Sequence, residues 1–437
     1  MSFLFGTDGI RGTVNQFPID PLSFVKIAQS IGLYLQKKYP KQHIKCVIGK
    51  DTRESGYMIE CALVAGLVSL GIEIYLVGPM PTPAIAFLTR SMRCTAGIMI
   101  SASHNPFHDN GIKVFADDGT KLSSEAIVLI ENYFQHMPET PLPHHVGKVK
   151  RIDDAVGRYI EYIKSYFPPN FSLHDYRIVI DCANGAAYKI APIILRELGA
   201  EVITYGTNPD GCNINADCGS LHPGGLSAWV KEHKADIGIA LDGDADRIVL
   251  VDEKGAIVSG ECLLGFLGVH LNTSKKIVTT QVSNPALEDF LTSQGIETIL
   301  TDVGDSHVYA AMRAQDAYVG GEPSGHILFG TDVCASDGLL TALQCVALLR
   351  NIKKPVSAIT QLFPLMPFKT INIPIKHDLF QTIDAPSIAA KLALSSRFLV
   401  RKSGTETVVR VYLWNHDEAA LEKDLQSLIS VLGQKLK

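Results

Sequence analysis

At 437 residues the chain exceeds what one hydrophobic core commonly supports, so about two to four domains are expected. Its 46% hydrophobic and 19% charged residues exclude a disordered chain. A net charge of −5 with no Lys/Arg block argues against a nucleic-acid partner, yet leaves an anionic small substrate open, because a cleft can carry a field opposite to the net charge. No apolar run approaches the roughly 18 residues of a membrane span, so no membrane partner is expected. The opening Met1-Ser2-Phe3-Leu4-Phe5-Gly6 has neither the basic region nor the long apolar stretch of a signal peptide, and a cytoplasmic location follows as the expectation. The nine cysteines are scattered singly, without a CxxC pair for zinc, and read as reduced, small hydrophobes.

In chain order, the first strand-like run is Cys46–Gly49, followed by the polar turn Lys50-Asp51-Thr52-Arg53 and a helical pattern that stops at Gly71-Ile72-Glu73. A second strand, IEIYLVG, starts at that stop. The apolar strand Gly97–Ile100 then leads into Ser101-Ala102-Ser103-His104-Asn105-Pro106. A hydrolase nucleophile is disfavoured here, because the G-x-S-x-G elbow is absent and a histidine adjacent in sequence is poorly placed for a triad. A helix cap and a phosphate-carrying serine both remain open, and the second fits better with the carboxylates found downstream. Asp109-Asn110-Gly111-Ile112-Lys113 reads as a turn into a strand with Lys113 at its mouth.

The same unit recurs twice. Arg177–Asp181, the turn Cys182-Ala183-Asn184-Gly185, a helix stopping at Gly199-Ala200-Glu201 and the strand AEVITYG form one copy. Lys276–Thr280, the turn Gln281-Val282-Ser283-Asn284, a helix opened by Pro285 and stopped at Gly295-Ile296-Glu297, and the strand IETILTD form the other. Three such units mean three related α/β domains rather than a short-period solenoid.

Between two strand-like runs of the second unit lies Asp242-Gly243-Asp244-Ala245-Asp246-Arg247. Three carboxylates at alternate positions of a tight turn supply the oxygen ligands Mg²⁺ prefers. A solvated acidic turn is disfavoured, since like charges between buried strands need neutralising. A calcium EF-hand fails although Glu253 stands twelfth from Asp242: Arg247 replaces the glycine the loop needs, and residues 248–251 are an apolar strand.

In the third unit, Gly320-Gly321-Glu322-Pro323-Ser324-Gly325-His326 offers a carboxylate, a hydroxyl and an imidazole suited to sugar hydroxyls, though a plain glycine-rich turn reads the same. The proline-punctuated stretch Pro364–Pro374 opens a different, smaller α+β part, with extended runs at Phe398–Arg401 and Val408–Trp414 and a charged helix from about His416 to Leu432. Its loop Arg401-Lys402-Ser403-Gly404-Thr405-Glu406 can form a phosphate nest or a plain hairpin turn. The boundaries implied are 1–155, 156–255, 256–368 and 369–437, each good to several residues.

These four segments, in this order and over nearly the whole chain, resemble the α-D-phosphohexomutase superfamily, with SASHNP as phosphoserine loop, DGDADR as metal loop, GEPSGH as sugar loop and RKSGTE as phosphate loop. The opening Phe5-Gly6-Thr7-Asp8-Gly9-Ile10-Arg11-Gly12, the SGTE loop and the segment around Asn213-Ile214-Asn215 are similar to its phosphoglucosamine branch rather than to the phosphomannomutase/phosphoglucomutase branch, which is the alternative. The resemblance implies three like domains and a smaller fourth around a central cleft. It implies Ser103 as phosphoserine, Asp242, Asp244 and Asp246 as Mg²⁺ ligands together with a Ser103 phosphate oxygen, and Lys113 as general acid/base. Arg11 and His104 would line the phosphoserine site, with Arg247 beside the metal loop. Glu322, Ser324 and His326 would hold sugar hydroxyls, while Arg401, Ser403, Gly404 and Thr405 would grip the phosphate that is not reacting. The implied substrate is a small sugar phosphate, glucosamine 6-phosphate or 1-phosphate, with glucosamine or glucose 1,6-bisphosphate as primer and a homodimer as one possible assembly. Departures from the branch stand at Lys402, Thr407, Pro323 and Leu221, and Asp302 and Ser306 in TDVGDS are assigned no role.

Overall fold

The computed structural model describes residues 4–6, 8–138, 145–271, 273–330, 335–374, 395–402 and 408–435. The first module is a six-stranded sheet built from β1 (Ile10–Thr13), β2 (Lys45–Lys50), β3 (Glu73–Pro79), β4 (Ala96–Ile100), β5 (Asp109–Ala116) and β6 (Val149–Arg151), in the order β1-β5-β4-β2-β3-β6. The second contains β7 (Arg177–Asp181), β8 (Glu201–Tyr205), β9 (Ile237–Leu241) and β10 (Ile248–Asp252), ordered β10-β9-β7-β8. The third contains β11 (Lys276–Thr280), β12 (Glu297–Thr301), β13 (Val319–Gly321) and β14 (Ile327–Phe329), ordered β12-β11-β13-β14.

These three sheets share one plan. A parallel pair joined by a helix (β2–β3, β7–β8, β11–β12) is extended by a third parallel strand (β4, β9, β13), which turns back into an antiparallel partner (β5, β10, β14). The helices joining the parallel pairs stop where expected, because Gly71, Gly199 and Gly295 take positive φ values of 79, 100 and 71° that other residues adopt only at a cost. The turn from third strand to partner carries SASHNP in the first module, DGDADR in the second and GEPSGH in the third. All three lie at the carboxyl ends of parallel strands, where open α/β sheets place their ligands.

One buried cluster runs through all three modules, from Val47 and Ile85 through Ile178 and Leu241 to Leu264 and Leu340. The other face of the first sheet has its own interior, including Ile27, Ile48 and Ile98. The fourth module is an antiparallel sheet of β15 (Phe368–Pro374), β16 (Arg397–Lys402) and β17 (Val408–Trp414), ordered β15-β17-β16, against the helix Glu418–Lys435. Val409, Val411, Leu413 and Leu428 form its separate core.

Two segments differ from the sequence reading. Asp109–Lys113 is strand throughout, and Lys113 pairs with Met99 in mid-sheet instead of standing at a strand mouth. The turn-forming Asn110 and Gly111 serve packing: the Asn110 amide donates to Ser55 Oγ at 2.8 Å, and a Cβ at Gly111 would lie 2.0 Å from the Ile10 carbonyl of β1. The proline-punctuated segment before residue 375 contains β15, which tolerates proline because it is an edge strand ending at Pro374. Among the described residues the cysteines are free; Cys46, Cys262 and Cys345 are buried, but Cys61 is exposed.

Asn284 joins two levels of this architecture. Its side chain caps the helix Pro285–Ser293 through Ala286 N–H at 3.1 Å. The same side chain donates to Met366 O at 2.8 Å and accepts from Met366 N–H at 3.1 Å, fixing the chain just before β15. Asn284→Ala should therefore cost about 2–4 kcal/mol, the sum of a lost cap and two buried groups left unpaired. A urea-denaturation midpoint equal to that of the parent chain would refute this account.

Candidate active site

The three equivalent turns converge. Ser103 occupies the β4–β5 turn with a left-handed φ of 53°, a conformation a serine adopts only when its surroundings impose it. Its hydroxyl is buried and donates to Asp242 Oδ2 of the β9–β10 turn at 2.6 Å. The His104 ring lies 3.3 Å from the same hydroxyl through Nδ1. Burial and the neighbouring guanidinium groups of Arg247 and Arg11 push His104 down to about 4, so it is neutral in a locally positive setting.

Asp242, Asp244 and Asp246 are all buried, with one oxygen from each lying within 4.8 Å of the others. Ala245 between the last two takes φ 60°, which turns the chain tightly enough to gather them. Burial, then repulsion from Asp246 and Asp244, pushes Asp242 up to about 8. Lys113 reaches in from β5, with Nζ at 2.8 Å from Asp244 Oδ2, 2.6 Å from Asp246 Oδ2 and 3.5 Å from Asp8 Oδ2. Burial alone would drive off its proton, but these carboxylates outweigh burial and hold Lys113 as an ammonium. Arg11 on β1 pairs with Asp8 and donates to the Ala102 carbonyl at 3.3 Å, which sets it against the serine turn.

The third turn locks onto the second. Arg247 and His326 form a backbone bridge, and Ile248 N–H donates to Gly325 O at 3.1 Å. His326 Nδ1 lies 3.0 Å from Glu322 Oε2, and Nε2 lies 3.1 Å from Asp246 Oδ1. Burial and Arg247 oppose protonation, but the two carboxylates prevail and push His326 up to about 10. Arg247 Nε lies 3.1 Å from the same Nε2, and its charge helps to hold Asp246 and Glu322 below the usual carboxylate range. Glu322 is further held by Gly304 N–H at 3.0 Å. Ser324 is exposed on the turn, and Arg247 is half-buried.

Arg401 is half-buried on β16 opposite Arg410 and takes no part in the hydrogen bonds just described. Ser403, Gly404 and Thr405 lie outside the described residues. Several participants had no role in the sequence reading. Asp8 ties Arg11, Lys113 and Lys121 together, and Lys121 Nζ continues to Asp305 Oδ1 at 2.6 Å, joining first and third modules. Thr82 donates its hydroxyl and its N–H to Asp244. Arg53 and Asn215 grip carbonyls of the serine turn. Asp8, Arg53, Asn215 and Asp305 lie within motif-bearing segments of the sequence; Thr82 carries no sequence signal of its own.

A divalent cation fits this donor set. Burial and repulsion from its neighbours push Asp242 up, a penalty a cation would relieve, and Asp244 Oδ1 is a buried oxygen with no hydrogen-bond partner among the described residues.

Residues 2–140, 157–255 and 259–366 match, in turn, alpha/beta/alpha domains I, II and III of phosphoglucomutase/phosphomannomutase, and residues 370–428 match its C-terminal domain. The chain belongs to the phosphoglucomutase/phosphomannomutase family. Among its relatives, a phosphoglucosamine mutase of Aliarcobacter butzleri is 46% identical over 99% of this chain and 100% of its own length. Another, from Nautilia profundicola, is 48% identical over 99% of both. A solved phosphoglucomutase/phosphomannomutase family protein of Burkholderia thailandensis shares the fold with a TM-score of 0.84 at 23% identity, covering 99% and 98% of the two chains. So does an N-acetylphosphoglucosamine mutase of Aspergillus fumigatus, solved with GlcNAc-6P and magnesium, with a TM-score of 0.64 at 17% identity, covering 100% and 96%. Like its family, the chain is an enzyme of the mutase class, and no helix among its described residues is long and apolar enough to cross a membrane.

For this family member, Asp244→Asn keeps the shape of the turn but removes one carboxylate from the triad, so Mg²⁺ affinity should fall by about tenfold or more. Titration calorimetry with MgCl₂ measures this without turnover, and an unchanged Kd would remove Asp244 from the cation site.

Proposed function

We propose that the chain is a phosphoglucosamine mutase, interconverting glucosamine 6-phosphate and glucosamine 1-phosphate through a phosphoserine at Ser103 and a 1,6-bisphosphate intermediate. The observation that carries the reading is the buried Ser103 hydroxyl seated on Asp242 while Lys113 occupies the other two carboxylates of the same triad. The choice of amino sugar rests on relatives of that name at 46–48% identity over nearly the whole chain.

In this reading Asp242, Asp244 and Asp246 hold Mg²⁺, which when bound neutralises charge on the transferring phosphoryl group. The Ser103 Oγ–P bond breaks as a sugar hydroxyl oxygen bonds to phosphorus, and the hydroxyl proton must end on Ser103. Lys113 starts as an ammonium, so it protonates the departing serine oxygen and then takes the proton of the attacking hydroxyl. Arg11 and Arg247 line the path of the phosphoryl group with positive potential, and the neutral His104 sets a ring nitrogen beside the serine oxygen. Glu322, Ser324 and His326 orient the sugar, and Arg401 with Ser403, Gly404 and Thr405 grips the phosphate that is not reacting. After the bisphosphate turns over in the cleft, its other phosphoryl group returns to Ser103. A bisphosphate primer sets the first serine in its phosphorylated state.

Ser103→Ala should fold normally yet lose sustained turnover, since a methyl group carries no phosphate. Phosphopeptide mapping of the parent enzyme should place the modification on Ser103; finding it on Ser101 would sink the assignment. Rates on glucosamine, glucose and mannose phosphates distinguish the amino-sugar reading from a phosphomannomutase/phosphoglucomutase.

Arg401→Ala removes a charge-assisted contact that exists in ground and transition states alike, so its main effect should be a raised KM. The loss is on the order of 1.5–3 kcal/mol, roughly ten- to a hundredfold in kcat/KM. Unchanged kinetics would detach the fourth module from the active site.

A further inference from the structure

The serine turn rests on an arginine that no reaction step uses. Arg53, in the turn after β2, is 0% exposed, and its guanidinium meets a partner with every one of its N–H groups. Nη2 donates to Ser103 O at 2.9 Å and Asn105 O at 2.8 Å. Nη1 donates to Asp109 O at 3.0 Å and to the Pro106 carbonyl. Nε donates to Asp51 Oδ2 at 2.8 Å, an ion pair that keeps the buried charge neutralised.

The second half of the grip comes through Asp51 and from the neighbouring module. Asp51 Oδ2 accepts the Ser101 hydroxyl at 2.7 Å, and Ser101 Oγ in turn accepts Ser103 N–H at 2.8 Å. Asn215, in the loop before the helix Gly224–His233, donates to Ser103 O at 2.9 Å and to Asn105 O at 3.1 Å. Both the N–H and the carbonyl of Ser103 are thus held, the carbonyl from two modules at once. The DGDADR turn packs directly on the same spot, since a Cβ at Gly243 would fall 2.5 Å from Ser103 O. A left-handed serine has alternatives close in energy; with its peptide groups clamped on both sides its Cβ is held where Oγ reaches Asp242.

We propose that Arg53, together with Asn215, is a positioning residue for phosphoryl transfer, clamping the Ser103 backbone so that the phosphorylated side chain stays aimed at the carboxylate triad. The proposal rests on the reading of Ser103 as the phosphate carrier. Neither residue reaches the reacting atoms: the contacts end on main-chain carbonyls and, for Arg53, on Asp51. Their loss should therefore leave substrate binding intact and misplace the phosphoryl group, and a displacement of about 1 Å costs on the order of a hundredfold in rate.

The test uses full-length, Mg²⁺-loaded enzyme, with Ser103 occupancy measured by intact mass, folding by thermal melting, and steady-state kinetics alongside inorganic phosphate release. Asn215→Ala should fold, carry phosphate on Ser103, and lose about tenfold in kcat with KM within about twofold, while phosphate released per turnover rises. Arg53→Lys should do the same more severely, by about a hundredfold, because an ammonium cannot span five acceptors. If Arg53→Lys fails to fold, the Asn215→Ala kinetics decide alone. A folded, phosphorylated Asn215→Ala enzyme with the parent kcat, or one whose loss lies in KM, overturns the positioning role while leaving Ser103 as carrier. A parent enzyme that never carries phosphate on Ser103 overturns the carrier reading itself.

Discussion

The arrangement depends on an electrostatic demand: three carboxylates buried within 4.8 Å of one another cannot all be ionised without cations beside them. Lys113 meets part of that demand from the first module, His326 meets part from the third, and Arg247 stands within the triad's own turn. Each carboxylate is thereby given a different neighbour: the serine hydroxyl for Asp242, the lysine and a threonine for Asp244, the lysine and the imidazolium for Asp246. The gathering of three carboxylate oxygens, together with the buried Asp244 Oδ1 that has no hydrogen-bond partner among the described residues, is what fits the cluster to a cation instead of a closed salt-bridge network.

Such a cluster could not be assembled by one module. The same turn, third parallel strand into antiparallel partner, is used three times, and the shared interior from Val47 to Leu340 holds the three sheets at fixed mutual positions. The backbone bridge between Arg247 and His326, and Asn215 reaching the serine turn, show that neighbouring modules are joined through the functional loops themselves. Errors in loop placement are thus coupled to interdomain packing, and a site needing sub-ångström alignment is supported by rigid elements on every side.

Local patterns carried much of this in the sequence. Strand runs such as Arg177–Asp181 and Val408–Trp414 coincide with β7 and β17, because β-branched residues between glycine and asparagine signals leave few alternatives. The alternation of aspartates in DGDADR was legible as a ligand set for the same reason, since the spacing and the chemistry lie within one turn. What stayed hidden depended on distance along the chain. Asp109-Asn110-Gly111 looks like a turn, and only the close approach of β1 explains why it is a strand. Asp8, Lys121 and Asp305 are ordinary surface-type residues until the fold sets them within ion-pair distance. Arg53 belongs to what reads only as a polar turn; its burial follows from five acceptors, four of them carbonyls of a segment about fifty residues away.

The fourth module stands outside this rigidity. Its core is separate from the one the other three share. One tie to the third module is the Arg397–Glu288 ion pair, 3.4 Å long and solvent-exposed, of a kind worth about 0–1 kcal/mol. Phe368, Tyr412 and Trp414 line, together with Ile248 and Val258, a cavity of about 470 Å³. A module with its own interior and an open space on its inner face has the build of a body that reorients as a unit relative to the other three. On the function proposed above, that division suits a reaction in which a bisphosphate must turn over between two transfers. The transferring group needs a fixed site, whereas the grip on the distant phosphate must be released and made again without disturbing it.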